Sequence, residues 1–326
     1  MTGKRVSIVL CTYNGSRYLR EQLDSLVGQT YPVSEIIAQD DGSSDQTMDI
    51  LYEYASRYPS IKVFTNDGEH GVNGNFFRAI RRATGDYVAI CDQDDVWEKD
   101  KLARQMAAVG SAVLCAGRSV PFSQDGSQVS QDSRMPNVTV LRMMYSAEIA
   151  GHTMLLRRDF LTSLPADCGM YHHNYYDMIF SVAAAAYEGI VWLDDVLVHQ
   201  RRYQDATTFS SSSQQQPSVS NGWNMLKWCL AHYGEVHALA LPYYNEWEEL
   251  LRLLPVDTKS RRDGIRMMQL QKGRGVVNFL RFQWFCLCHR TELFHTRGSD
   301  PVNLLRALLY PLTSCYYRRD LIKDRK

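Results

Sequence analysis

The chain has 326 residues, 36 Lys/Arg against 36 Asp/Glu and 45% hydrophobic residues, a globular composition with core enough for one large domain or two ordinary ones. The zero net charge hides an asymmetry: residues 1–254 hold 21 Lys/Arg against 30 Asp/Glu and residues 255–326 hold 15 against 6, about −9 followed by about +9. No run of roughly 18 uncharged apolar residues exists, so no transmembrane span is expected; a strand begins almost at once, so no signal peptide is expected, and the eight Cys lack paired metal-ligand spacing, as suits a reducing cytosol.

Val6 to Cys11 reads as a buried strand that leads through Thr12-Tyr13-Asn14-Gly15 into a helix with Leu19, Leu23 and Leu26 on its apolar side. Ile36 to Ala38 is a second strand, followed by Asp40-Asp41-Gly42-Ser43-Ser44-Asp45 and a helix carrying Ile50, Leu51 and Tyr54. Ile61 to Phe64 is a third strand, Asn66 to Gly74 a polar loop and Phe76 to Ala83 a helix. The fourth strand, Tyr87 to Cys91, runs without a break into Asp92, Asp94 and Asp95. Val113 to Ala116, Gly151 to Leu156 and Ile190 to Val198 add further strands, and Tyr175 to Tyr187 is a packed helix. Pro121 to Asn137 reads as a polar loop, and the Ser/Gln tract from Thr207 to Ser220 as a flexible loop or lid. From Gly222 onward the pattern is helical.

Alternation of strands and helices implies an α/β fold with a parallel, doubly wound sheet and right-handed crossovers. Ligands bind such sheets beyond the carboxyl ends of the strands. Four polar clusters fall there: Thr12 to Asn14, Asp40 to Asp45, Asn66 to Asn75 and Asp92 to Asp95. The division expected is a catalytic domain over 1–221 and a helical, basic region over 222–326.

Asp92 and Asp94, one residue apart at a strand end, are expected to point the same way. Like charges so close need a cation or a shared proton, and hard oxygen ligands suit Mg2+ or Mn2+. The rival reading is an acidic turn that caps a helix starting near Glu98. A carboxylate at strand two could accept from a base N–H or from ribose hydroxyls; its rival is again a helix cap. Strand one ends in no G-x-G-x-x-G, and no phosphate loop occurs anywhere, which argues against a nicotinamide dehydrogenase and a P-loop nucleotidase.

The stretches Val-Ser-Ile-Val-Leu-Cys-Thr-Tyr-Asn-Gly from Val6, Asp-Asp-Gly-Ser-Ser-Asp-Gln-Thr from Asp40 and Cys-Asp-Gln-Asp-Asp-Val-Trp from Cys91 resemble the family 2 glycosyltransferases of the glycosyltransferase-A fold. Lys101-Leu102 after the acidic motif, Gly71 to Phe77 and Gly151 to Leu155 are similar to its rhamnosyltransferase-like bacterial branch. The resemblance covers roughly residues 4 to 207. It implies a mostly parallel, Rossmann-like sheet flanked by helices, with a C-terminal helical extension.

It also implies an inverting transfer from a UDP- or dTDP-linked sugar, with Mg2+ or Mn2+, to a saccharide or lipid-linked oligosaccharide in cell-surface polysaccharide synthesis. By position, Thr12, Tyr13 and Asn14 would border the nucleotide, and Asp41 with Asp40 would hold base or ribose. Asn75 and Gln93 would complete the donor site. Asp92 would meet ribose or metal, Asp94 would bind the metal, and Asp177 would be the catalytic base. Two positions depart from the branch. Tyr176 precedes Asp177 where His or Glu is usual, and Tyr203 stands where His is usual, with His199, Arg201 or Arg202 as candidates to replace its charge.

Two alternatives stay open: a nucleotide-sugar-binding protein weak in catalysis, and a metal-dependent nucleotidyltransferase. The latter should carry a Gly-rich loop with a basic residue after strand one, which Thr12 to Ser16 lacks. Residues 255–326, basic and aromatic-rich, are expected to meet an anionic membrane surface; their rival reading is a helical subdomain packed on the core. The expected location is cytoplasmic and peripheral on the membrane, with no nucleic acid as partner.

Overall fold

Val6–Thr12 (β1) is buried along its whole length, as an apolar run is when a sheet is covered on both faces. In the computed structural model, which describes residues 3–126, 129, 135–146, 148–165, 168–203, 219–294 and 300–323, β1 pairs in parallel with Val33–Asp40 (β2). Ile61–Thr65 (β3) continues the parallel sheet beyond β2, and Tyr87–Cys91 (β4) flanks β1 on its other side. Then follow Val96–Trp97 (β5), Leu114–Phe122 (β6), Leu155–Arg157 (β7) and Ile190–Arg201 (β8). The order across the sheet is β3-β2-β1-β4-β7-β6-β8-β5.

The sheet is parallel only in part. β7 is antiparallel to both β4 and β6, β6 is parallel to β8, and β5 is antiparallel to β8. Antiparallel neighbours need no crossover helix, and β7 is entered from a 3-10 turn at Gly151–Thr153. The single strand expected over Gly151 to Leu156 is therefore a turn followed by three strand residues. Pro121 and Phe122, expected in a loop, close β6. The Ser/Gln tract at 207–220 lies outside the described residues except for its last two positions.

Leu19–Val27 (α1), Thr47–Arg57 (α2), Val72–Arg82 (α3) and Lys101–Ala108 (α4) follow β1, β2, β3 and β5. Helix α3 starts four residues before Phe76, because Gly71 at φ 95° turns the loop into it. Val140–Met143 (α5), Arg158–Ser163 (α6), Met170–His173 (α7) and Tyr176–Ala186 (α8) surround β7 in the sequence. The C-terminal helices are Val219–Leu253 (α9), Lys259–Lys272 (α10), Val276–Cys288 (α11), Arg290–Leu293 (α12), Asp300–Thr313 (α13) and Asp320–Lys323 (α14).

Strand alternation divides the core. Ile8, Leu10, Leu23, Leu51 and Trp97 pack on one face. Val9, Val88, Ile90 and Phe180 pack on the other, in one apolar cluster with Trp247, Leu250, Met267, Phe282 and Tyr310. The C-terminal helices thus share a core with the sheet. The buried alanines Ala183 to Ala186 on α8 leave room for this approach, and Thr258 Oγ1 donates to the Ala186 carbonyl.

Lys101 places an amine in this interior. It is fully buried, donates to Gln105 Oε1 at 2.9 Å and lies 3.8 Å from the Trp97 ring centroid. Burial pushes its amine down to about 7. A desolvated cation–π contact offsets about 2 kcal/mol, whereas burying an ion costs several kcal/mol, so burial wins. Between about pH 7 and 10.5 the unfolded chain holds a proton that the folded chain has lost, so stability rises with pH across that window. Lys101→Met is expected to stabilise the protein at pH 7 by about 1–4 kcal/mol and to flatten that slope. Thermal melts at pH 7 and pH 10 check this; a lower melting temperature with the slope retained contradicts it.

Candidate functional site

The ends of β1, β2 and β4 are stitched together by their own polar residues. Thr12 Oγ1 donates to Asp40 Oδ1 at 2.8 Å, and Asp40 Oδ2 accepts from the N–H groups of Gly42 and Ser43 at 3.0 and 2.7 Å. Asp40 is therefore a buried tie within the turn. Asp41 reaches the loop before α3: it accepts from Asn66 Nδ2 at 2.6 Å and Gly71 N–H at 2.7 Å, and lies 3.0 Å from His70 Nδ1. Gln93 pairs reciprocally with the Tyr13 backbone at 2.8 and 3.0 Å. A Cβ on Gly15 would lie 2.2 Å from Gln93 Oε1, so a side chain there would displace the Gln93 amide.

Asn14, at φ 48°, accepts from Ser44 N–H at 2.8 Å. Asn75 is buried and bonded to Gln39 through both ends of its amide. Tyr13, at 58% exposure, is left as a free aromatic wall. Of the residues expected at the nucleotide, Thr12, Asp40 and Asn75 thus lie inside the floor, while Tyr13, Asn14, Asp41, Asp92 and Gln93 retain exposed surface.

β4 stops at Cys91, so strand alternation does not extend through the acidic run. Asp92 Oδ2 and Asp95 Oδ2 lie 3.4 and 3.5 Å from His152 Nδ1, and ligand atoms of the three residues all fall within 4.8 Å of one another. Asp94 faces elsewhere and accepts from the Tyr203 hydroxyl at 2.7 Å. His152, carried by the Gly151–Thr153 turn, was missing from the sequence-derived ligands; the Gly-His-Thr-Met-Leu motif holds it, but a strand reading gives it no special direction. Its other nitrogen, Nε2, meets Ser119 Oγ at 2.9 Å.

Burial raises the carboxyls of Asp94 and Asp95, and the Asp92 charge adds to this, while His152 partly offsets it. Burial disfavours the His152 cation, yet Asp95 and Asp92 together hold the ring above its ordinary value. Asp95 Oδ1 accepts from Arg201 N–H at 2.9 Å, but its Oδ2 is buried without a hydrogen-bond partner. An orphaned carboxylate oxygen, a half-open carboxylate and an imidazole nitrogen fit a divalent cation such as Mn2+ or Mg2+. A second grouping, Asp263, His289 and Glu292, already holds the Lys259 ammonium, at 2.7 Å from Asp263 and 3.7 Å from Glu292.

A cavity of about 510 Å³ opens beside this cluster, lined by Asp177, Arg118, Ser119, Arg142, Trp192 and Arg202 among others. Asp177 sits in the first turn of α8 but is not its cap, which is Tyr175. Its Oδ1 accepts from Met178 N–H at 2.8 Å, and burial followed by the Asp92 charge raises its carboxyl. The neighbouring Tyr176 is buried against Phe76, ring centroids 4.2 Å apart, and its hydroxyl would lie 2.3 Å from a Cβ at Gly151. It packs the His152 turn. Arg201 is clamped between the rings of Tyr18 and Phe122, at 4.3 and 4.7 Å, and paired with Glu21. His199 turns to Glu98 at 2.7 Å. Of the three cations considered for the histidine that Tyr203 replaces, only Arg202 lines the cavity.

Residues 7–168 match the model of the family described as Glycosyl transferase family 2. The putative teichuronic acid biosynthesis glycosyltransferase TuaG of Bacillus subtilis is 38% identical over 128 residues, 39% of this chain and 48% of that protein. The dTDP-rhamnosyl transferase RfbG of Shigella flexneri is 38% identical over 98 residues, 28% of this chain and 34% of its own. The matching segment therefore spans between a third and a half of these relatives. In fold, the chain is similar to residues 1–349 of S. aureus TarS in complex with UDP-GlcNAc, with a TM-score of 0.55, 16% identity, and coverage of 98% of this chain and 91% of that one. It is likewise similar to the mannosyltransferase PcManGT of Pyrobaculum calidifontis, in complex with GDP-Man and Mn2+: TM-score 0.53, 16% identity, 100% of this chain and 89% of that one. The fold is that of the glycosyltransferase-A group, with a C-terminal helical region.

Mn2+ at 100 times its dissociation constant is expected to stabilise the folded chain by about 2.7 kcal/mol. The gain should shrink as pH falls, because protons compete for Asp95 and His152, whose protonated forms are favoured. His152→Ala and Asp95→Asn should remove most of the melting shift, and Asp94→Asn should keep it. Loss of the shift in Asp94→Asn alone, seen by differential scanning fluorimetry, would move the ion to the other carboxylate.

Proposed function

We propose, for a chain whose residues 7–168 belong to glycosyl transferase family 2, that it transfers a sugar with inversion from a UDP- or dTDP-linked donor to a saccharide or lipid-linked oligosaccharide in cell-surface polysaccharide synthesis. The observation that carries this reading is the position of Asp177. A half-buried carboxylate with raised basicity lines a cavity beside an acidic cluster that fits a divalent cation. The teichuronic acid biosynthesis in the name of TuaG supports the polysaccharide setting, and the dTDP-rhamnosyl transfer in that of RfbG supports the donor class.

In this reading the nucleotide lies over the ends of β1 and β2, with Tyr13 offering a ring to the base and Asp41 standing at the cleft edge. Asp92, Asp95 and His152 would hold Mn2+ or Mg2+, which when bound neutralises charge on the departing diphosphate. The acceptor enters the cavity lined by Arg118, Arg142 and Arg202. Its hydroxyl oxygen attacks the anomeric carbon from the face opposite the diphosphate, the bond from that carbon to the phosphate oxygen breaks, and the hydroxyl proton passes to Asp177. Burial serves this step by keeping the carboxylate poorly solvated and its proton affinity high.

Among the described residues no helix is long and apolar enough to cross a membrane. We place the protein peripherally on the cytoplasmic membrane face, where a lipid-linked acceptor would be presented.

Asp177→Asn retains the oxygen that accepts from Met178 N–H and removes only the basicity. The variant should fold and bind donor normally, yet lose transfer by about 10²-fold or more. Turnover close to that of the wild type at saturating acceptor would place the base elsewhere.

A further inference from the structure

The outer surface of α11 is apolar. Val276, Leu280 and Trp284, spaced four residues apart, form one stripe with Val277 beside it, and they are 75%, 55%, 68% and 64% exposed. The opposite side of the helix buries Phe282 and Cys286. Helix α13 lies alongside, tied by Gln283 Nε2 to the Leu308 carbonyl at 2.8 Å. It buries Asn303, Ala307 and Tyr310 and turns Val302, Leu304 and Leu305 outward. Single exposed apolar residues are ordinary, whereas a group of seven on two adjacent helices marks an interaction surface.

The charges around this face identify its partner. Arg274, Arg281 and Arg306 are exposed on or next to the same two helices, and among the described residues none of them has an ion-pair partner. Carboxylates are scarce in this part of the chain, with 6 Asp/Glu against 15 Lys/Arg over 255–326. Exposed aliphatic side chains, a tryptophan and unpaired guanidinium groups together match the boundary between acyl chains and anionic headgroups.

We propose that the outward faces of α11 and α13 dock on an anionic lipid bilayer; this deepens the peripheral-membrane reading above and rests on it. Trp284, Leu280 and Val276 enter the interface, and Arg274, Arg281 and Arg306 meet headgroup phosphates. Since α11 and α13 share a core cluster with α8 through Phe282, Tyr310 and Phe180, docking would hold the cavity at a fixed attitude to the membrane. A lipid-linked acceptor would then arrive from one direction.

The test is co-sedimentation of the full chain with vesicles of phosphatidylcholine alone or with 30 mol% phosphatidylglycerol, at low and high salt. Binding should require phosphatidylglycerol and weaken with salt. Leu280→Glu with Trp284→Glu should lower binding at least tenfold, and Arg281→Glu with Arg306→Glu should remove its salt dependence. Leu280→Ser with Trp284→Ser serves as a milder pair should the acidic pair misfold. Vesicle binding needs neither donor nor turnover, so donor hydrolysis in solution, unchanged in these variants, separates loss of docking from failure of the transferase reading. No binding to anionic vesicles, or equal binding by the variants, overturns the proposal. So does lipid-free self-association that Trp284→Glu abolishes, since a second copy would then cover the face.

Discussion

Three carboxylates within four residues, at the end of a strand buried on both faces, are the constraint around which the rest of the structure is arranged. Like charges in a poorly hydrated place repel and are costly to ionise, and both Asp94 and Asp95 show it in raised proton affinity. The fold separates them by direction. Asp94 turns to the Tyr203 hydroxyl, while Asp95 turns to Arg201 N–H and the His152 ring. Arg201 also donates through Nε to the Asp94 carbonyl at 2.8 Å. One buried guanidinium at the end of β8 thus fixes the acidic turn from beneath, and the open Asp92 side is left to the cleft.

The same constraint explains two unusual tyrosines. Tyr176 fills the space against Gly151 and so sets the turn that delivers His152. Tyr203 supplies a neutral hydroxyl donor to Asp94 where a histidine would add a ligand or a charge. The cation demand then falls on Asp92, Asp95 and His152, the only one of the described groupings with an orphaned buried oxygen.

Much of this was legible in the sequence, and what was not has a physical reason. The polar clusters at the ends of β1 to β4 are readable because a strand's end is marked by the change from apolar to polar residues. Which acidic side chains converge is not, since the period of two holds only inside a strand and β4 ends at Cys91. His152 escaped because a 3-10 turn of Gly-His-Thr followed by apolar residues looks like strand. β7, three residues long, carries no signal of direction, so the antiparallel half of the sheet was unreadable. Asn75 and Asp40 are polar for internal reasons, tying strands below the cleft, and composition alone does not separate that role from ligand binding. In the tail, helical periodicity was plain, but a pattern cannot say which apolar face turns outward; packing of Phe282 and Tyr310 on the sheet decides it.

The central claim is that a divalent cation sits among Asp92, Asp95 and His152. Electron spin echo envelope modulation of Mn2+ bound to the full chain, with UDP present, tests it most directly. The account predicts one bound Mn2+ per chain whose spectrum carries modulation from an imidazole nitrogen, absent in His152→Ala. Mn2+ bound without nitrogen modulation, or modulation that survives His152→Ala, would contradict it.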